Sequence, residues 1–173
     1  MPPVFRLRAA TADDVPLILS LIRELAEFER LSHEVVTDEA GLRAQLFGPH
    51  PRAEVLLAEN TAADHDAPAG FALFFHNFST FVGKPGIYLE DLYVRPAFRG
   101  RGLGRALLTR LAQIAVERDC GRFEWAVLDW NEPALKFYES LGAKGMHDWT
   151  VHRLVGDELA TLAERWPHPV GKT

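Results

Sequence analysis

Six residues, Arg99-Gly100-Arg101-Gly102-Leu103-Gly104, narrow the folds open to this chain more than any other stretch. They join an alternating, strand-like run from Ile87 to Val94, closed by Pro96, to a helix-like run from Leu103 to Glu117. Three glycines at alternate positions strip side-chain cover from several backbone N–H groups where the helix begins. Those unpaired N–H groups and the positive end of the helix dipole point the same way, which suits a phosphate or pyrophosphate. Arg95, Arg99, Arg101 and Arg105 add four cations around the loop, in a chain with a formal net charge of −5. That distribution suits a local anion site and argues against general nucleic-acid binding.

The flanking pattern places strands and helices around one sheet. Val4 to Arg8 alternates as a first strand, and Thr11 with Asp13-Asp14 opens a helix. Val15, Ile18, Leu19, Ile22, Leu25 and Ala26 recur at helical spacing, so that helix buries one face. Thr37 to Phe47 reads as a second short helix, and Glu54 to Glu59 and Gly70 to Asn77 as strands joined by a small, polar link, Thr61 to Pro68. Phe78 to Pro85 reads as a loop. Beyond the glycine loop, Leu103, Leu107, Leu111, Ile114 and Ala115 form the apolar stripe of a helix, followed by a strand from Phe123 to Leu128. Asn131 is a good N-cap, with Pro133 tolerated in the first turn; Ala134, Phe137, Tyr138 and Leu141 share a face and Gly142 closes that helix. Trp149 to Leu154 reads as a late strand and Asp157 to Trp166 as a C-terminal helix. The expected class is α/β or α+β, in a single domain over 1–173.

Other phosphate-binding loops do not fit. A P-loop ends in Gly-Lys-Ser/Thr, whereas Gly104 precedes Arg105-Ala106. A dinucleotide fingerprint places a third glycine at 105, which is arginine. The catalytic Asp and metal motifs of a kinase are missing. The lone Cys120 excludes an internal disulfide and a cysteine zinc cage, and the seven histidines show no short metal-ligand spacing, so no metal is assigned. The N-terminus lacks a signal-peptide core and no apolar run reaches the ~20 residues of a membrane span. A soluble, cytoplasmic protein is expected.

Leu89-Glu-Asp-Leu-Tyr-Val-Arg-Pro-Ala-Phe-Arg-Gly-Arg-Gly-Leu-Gly resembles the acyl-CoA segment of the GCN5-related N-acetyltransferases, with their Arg/Gln-x-x-Gly-x-Gly/Ala motif at Arg99 to Gly104. A second segment matches as well: Asp129-Trp130-Asn131, Ala134, Phe137-Tyr138 and Leu141-Gly142-Ala143. Ile22 to Glu29 extends the likeness, which is nearest to the diamine acetyltransferases. The resemblance implies a mixed, mostly antiparallel sheet of about six to seven strands, flanked by four to five helices. Its fourth and fifth strands splay, here Ile87 to Val94 and Phe123 to Leu128.

It also implies roles. Acetyl-CoA is the cosubstrate, its pyrophosphate on the N–H groups of Arg99, Gly100, Arg101, Gly102, Leu103 and Gly104 with Arg105 nearby. Its pantetheine pairs like an added strand with Leu92, Tyr93 and Val94, and Asn131, Ala134 and Tyr138 border the thioester. An alkyl ammonium of pKa about 10.4 must lose a proton before it attacks. In similar enzymes the glutamate of the Leu-Glu-Asp strand, Glu90, takes it through water, and Tyr138 donates to the departing sulfur. Adjacent strand residues face opposite ways, so Glu90 and Asp91 share a cleft only if a bulge intervenes. Phe28, Glu29, Glu90, Asp91 and Trp125 are the implied acceptor contacts, and a homodimer is the implied assembly. Polyamine-specific relatives carry Asp-Pro-Trp before the fourth strand; this chain has Ser79-Thr80-Phe81, nearer to the thialysine-acetylating branch. A small primary amine is therefore the expected acceptor: thialysine, or another lysine-like or diamine compound. A protein or peptide acetyltransferase and a non-catalytic acyl-CoA sensor are the alternatives, and the second is disfavoured by the presence of both Glu90 and Tyr138.

Overall fold

Two periodicities, two residues in a strand and 3.6 in a helix, decide which side chains are buried. The computed structural model describes residues 5–61 and 67–165. It forms two compact units, Met1–Ala126 and Val127–Thr173. The first contains β1 (Phe5–Ala9), α1 (Val15–Phe28), α2 (Glu39–Phe47), β2 (Glu54–Asn60), β3 (Ala67–Ser79), β4 (Lys84–Val94), α3 (Leu103–Glu117) and β5 (Arg122–Trp125). The second contains α4 (Glu132–Ser140) and α5 (Gly156–Glu164).

The five strands form one sheet in the order β1-β2-β3-β4-β5. The first four run antiparallel, and β5 lies parallel to β4. One face carries the core of Ile18, Leu21 and Leu25 from α1, Leu46 from α2, and Val55, Leu57, Phe71, Leu73 and Tyr93 from the sheet. The alternate residues Leu56, Ala58, Ala72, Phe74 and Leu89 are buried too, so the opposite face is also covered. α3 buries Leu103, Leu107, Leu108, Leu111 and Ile114, contacts β2, β4 and β5, and ends with Arg118 over the Phe74 ring. This α/β arrangement matches the expected class.

Some expectations need correction. Among the described residues the sheet has five strands, not six to seven. Trp149 to Leu154 is not a strand: it alternates, but no strand pairs with it, and Trp149 and Val151 are exposed. Alternation is only half of what a strand needs; the other half is a neighbour for its N–H and C=O groups. β5 begins one residue earlier than expected and ends at Trp125, not Leu128. Most of the expected loop from Phe78 to Pro85 belongs to a hairpin, because β3 and β4 stay paired to Ser79↔Lys84. Gly83, at φ 70°, closes that turn with its N–H on the Ser79 carbonyl. Val4, Trp166 and residues 62–66 of the expected link lie outside the described residues.

Helix ends show one solution repeated with different residues. After α1, the Leu31 N–H bonds the Ala26 carbonyl at 2.7 Å and the Arg30 N–H that of Glu27 at 3.1 Å. After α3, Cys120 bonds Ala115 and Asp119 bonds Val116; after α4, Ala143 bonds Tyr138 and Gly142 bonds Glu139. This double bond needs a left-handed residue, usually glycine. Gly142 meets the need at φ 88°, whereas Arg30 and Asp119 adopt φ 62° and 53° with full side chains. Arg30 is exposed, so little packing offsets that strain. Arg30→Gly is expected to raise the unfolding free energy by about 0.5–1 kcal/mol. Urea denaturation checks it; an unchanged or lower midpoint would contradict it.

Candidate functional site

The glycine loop has the backbone form that an anion cradle requires. Gly100 and Gly102 lie at φ 74° and 82°, and a Cβ at either would meet nothing within 4 Å. Conformation, not crowding, requires glycine there. Gly102 caps α3, and the first helical N–H to find a partner is that of Ala106, on the Gly102 carbonyl at 2.9 Å. The N–H groups of Leu103, Gly104 and Arg105 precede it and so have no partner within the helix. Arg101 and Arg105 are exposed beside them.

The other two arginines are committed elsewhere, contrary to the expected ring of four. Arg95 forks onto Glu24 of α1 at 2.9 and 2.6 Å and also donates to the Pro68 carbonyl. It holds the Glu24 carboxyl below its usual range and ties α1 to the end of β4. Arg99 turns away as well. Its Nε donates to the Val94 carbonyl at 2.8 Å, and its guanidinium carbon lies 4.8 Å from the Phe28 ring centre and 5.6 Å from that of Tyr93.

β4 is paired unequally on its two edges. Its pairing with β3 runs from Lys84 to Val94, but β5 meets it only over Gly86–Leu89. Over residues 90–94 no strand among the described residues pairs with the second edge. Leu92, Tyr93 and Val94 lie in that stretch, next to the loop. An unpaired edge accepts an extended chain of amides. Cradle and open edge together fit the diphosphate and pantetheine of the implied cosubstrate.

The register breaks at the expected pair of acids. Leu73 faces Asp91 and Phe74 faces Leu89, which leaves Glu90 as an extra residue in β4. This bulge breaks the alternation that would send adjacent side chains to opposite faces. Asp91 falls on the face of Leu73 and Tyr93, towards α1. Burial pushes its carboxyl up to about 6, with the charges of Glu90 and Glu29 adding to the rise. Glu29, at the end of α1, is also raised by burial, while Glu90 is exposed. The charges of Glu29 and Glu90 thus both act on Asp91, an arrangement that a cation would relieve.

The remaining candidates lie further along the chain. Trp125 ends β5, its ring 4.9 Å from that of Phe123. In the second unit, the Asn131 side chain caps α4 by accepting from the Ala134 N–H at 3.4 Å. Tyr138 lies on the same helix, its ring centre 5.4 Å from that of Phe137. Within the first unit the fold brings together Phe28, Glu29, Glu90, Asp91, Tyr93 and Arg99. Sequence reasoning missed two features of that group: the position of the bulge, and the seat of Arg99 on the Phe28 ring. Neither has a sequence signal, since a register shift depends on the partner strand and a side-chain direction on the packed surface.

Comparisons with known proteins give one family. The profile of the acetyltransferase (GNAT) family matches residues 19–143. A mouse (Mus musculus) thialysine N-epsilon-acetyltransferase is 39% identical over 167 residues, 92% of this chain and 98% of the relative. An L-ornithine N5-acetyltransferase of Arabidopsis thaliana is 36% identical, over 91% of this chain and 87% of the relative. Among solved structures, an integron cassette protein from the mobile metagenome of V. cholerae superposes with a TM-score of 0.77 at 27% identity. The match covers 93% of this chain and 98% of that one.

The Asp91 environment has a measurable consequence. The unfolded chain ionises this carboxyl near 3.8, and the folded chain keeps its proton to about 6. Between those values the folded state binds more protons, so this group makes stability fall as pH rises. Asp91→Asn carries no charge at any pH. Its stability relative to wild type is expected to climb between about pH 4 and pH 6 and to level off above. Urea unfolding at several pH values reads the difference; a gap constant across that window would contradict the environment described.

Proposed function

The chain belongs to the acetyltransferase (GNAT) family and is an acetyl-CoA-dependent amine N-acetyltransferase; we propose that its acceptor is a small, cationic amino acid or diamine. The observation that carries this reading is the meeting of Glu29, Glu90 and Asp91 beside the open edge of β4. Their repulsion and burial penalty fall when an ammonium group arrives. Thialysine and ornithine, named for the two relatives above, are acceptors of that kind, and they lead the list to be tested.

The loop from Arg99 to Gly104 with Arg105 holds the diphosphate in this reading, and Leu92, Tyr93 and Val94 hold the pantetheine. Asn131 and Ala134 belong to the same set on the family resemblance. The bound cosubstrate supplies an activated acyl group and a thiolate leaving group. Two proton transfers are left to the protein. Glu90 takes the proton of the acceptor ammonium through water, Asp91 and Glu29 draw the cation in, and Tyr138 gives a proton to the departing sulfur. The exposure of Glu90 at the bulge supports its share, since it is open to water and next to the cation-holding acids. Phe28 and Trp125 complete the acceptor set.

Both units form one acetyltransferase domain in this proposal, and the family match runs unbroken from 19 to 143 across the boundary at Ala126. No helix among the described residues is long and apolar enough to cross a membrane. The proposed working form is a cytoplasmic homodimer with no nucleic-acid partner.

Thiol release from acetyl-CoA against thialysine, ornithine, lysine, diamines, spermidine and short peptides tests the acceptor class. Fastest turnover is expected with the small dibasic amines; peptides alone as substrates would overturn the reading. Tyr138→Phe is expected to lower kcat about a hundredfold with the acetyl-CoA KM within about twofold. Wild-type turnover in that variant would remove the acid role. The loss in Glu90→Gln is expected to shrink from about pH 7 to about pH 10, as the amine sheds its proton unaided. A loss independent of pH would assign Glu90 to acceptor binding alone.

A further inference from the structure

Arg99 belongs by its backbone to the glycine loop, but its side chain serves a different part of the first unit. Three contacts hold the guanidinium: the Val94 carbonyl, the Tyr93 ring and the Phe28 ring. The first two lie on β4, and Tyr93 is buried in the core, so that side of the contact is fixed. The third is the last residue of α1, a phenylalanine that is 41% exposed. Immediately after it come Glu29, the helix cap, and Arg30 in its left-handed conformation. The Arg99 guanidinium therefore joins the last residue of α1 to the end of β4. A planar cation with one N–H tied to a carbonyl and its faces against rings is well suited to that task; an ammonium is not.

We propose that Arg99 is a positioning residue for the amine acceptor: it holds the Phe28 ring, and with it Glu29, beside the open end of β4, and so couples occupation of the glycine loop to order at the acceptor contacts. This inference rests on the reading above that Phe28 and Glu29 meet the acceptor. One side chain separates the loop backbone from the Phe28 ring. A change in the loop when an anion settles on it therefore reaches the end of α1 directly. By linkage, whatever affinity the cosubstrate lends the amine, the amine lends back to the cosubstrate.

The test is a double-mutant cycle on Arg99→Gln and Phe28→Leu, read as separate KM values for amine and acetyl-CoA. It is repeated as amine affinity by calorimetry on enzyme saturated with coenzyme A. Each single variant is expected to weaken the amine about three- to tenfold, and the double variant no more than the weaker single. The acetyl-CoA KM is expected to move less than the amine KM. Arg99→Lys keeps the charge without the flat face, and only partial recovery is expected. An acetyl-CoA KM that rises alone, or single effects that multiply in the double variant, would overturn the coupling. Should Arg99→Gln fold poorly by near-ultraviolet circular dichroism, Phe28→Tyr against Phe28→Leu decides. The retained ring should keep the amine KM within about twofold, and equal losses in both would overturn the proposal. If the wild-type enzyme acetylates no amine, the functional reading falls and takes this inference with it. If it acetylates amines and Arg99→Gln changes only the acetyl-CoA KM, the coupling falls alone.

Discussion

The unequal pairing of β4 is the constraint on which the rest of the first unit depends. On one side the strand pairs with β3 from Lys84 to Val94, broken only at the Glu90 bulge; on the other, β5 leaves it after Leu89. Continuous pairing would have sealed the second edge over residues 90–94. Instead no strand among the described residues covers that edge, one short turn before the glycine loop, and the Val94 carbonyl accepts from the Arg99 Nε. The bulge at Glu90 lies where the two pairing regimes meet. From Gly86 to Leu89 the strand is paired on both sides, and beyond Leu89 β3 is the only strand among the described residues that pairs with it. The extra residue belongs at that junction, where accommodating it disturbs only one ladder.

Charge is arranged around that opening in two tiers. Glu24 and Arg95 neutralise each other in a two-toothed ion pair that locks α1 against the end of β4. This pair anchors α1 about one turn before Phe28 and Glu29. Glu29, Glu90 and Asp91 are left without a comparable partner among the ion pairs of the described residues, and burial raises Glu29 and Asp91. A protein tolerates such a group at a cost to its stability, and a ligand of opposite charge relieves it. An amine acetyltransferase needs a site that attracts an ammonium and then helps it shed a proton; the proposed function gives these carboxylates the first task.

Elements whose ends are set by local chemistry were readable from the residues. α3 begins and ends at the expected Leu103 and Glu117, because glycines mark its start and its apolar stripe its length. Asn131 and Gly142 delimit α4 for similar reasons. Features set by a partner were not. Arg30 and Asp119 do the work of a terminal glycine with no glycine to reveal it. The run Trp149 to Leu154 alternates like a strand and has none to pair with. In the candidate site, the residues Phe28, Glu29, Glu90, Asp91 and Arg99 were all identifiable by type and motif. Their mutual arrangement was not: the register of β4 against β3 decides which way the acids face. The packed rings of Phe28 and Tyr93 decide that Arg99 turns from the anion loop towards α1.

Hydrogen exchange along β4, resolved residue by residue by NMR with and without saturating acetyl-CoA, tests the central claim most directly. Amide protons of residues 90–94 that point to the unpaired edge should exchange fast in the free enzyme and slow markedly with the cosubstrate bound. Those bonded to β3 should be slow in both states. Edge amides already protected without cosubstrate, or unchanged at saturation, would contradict the account.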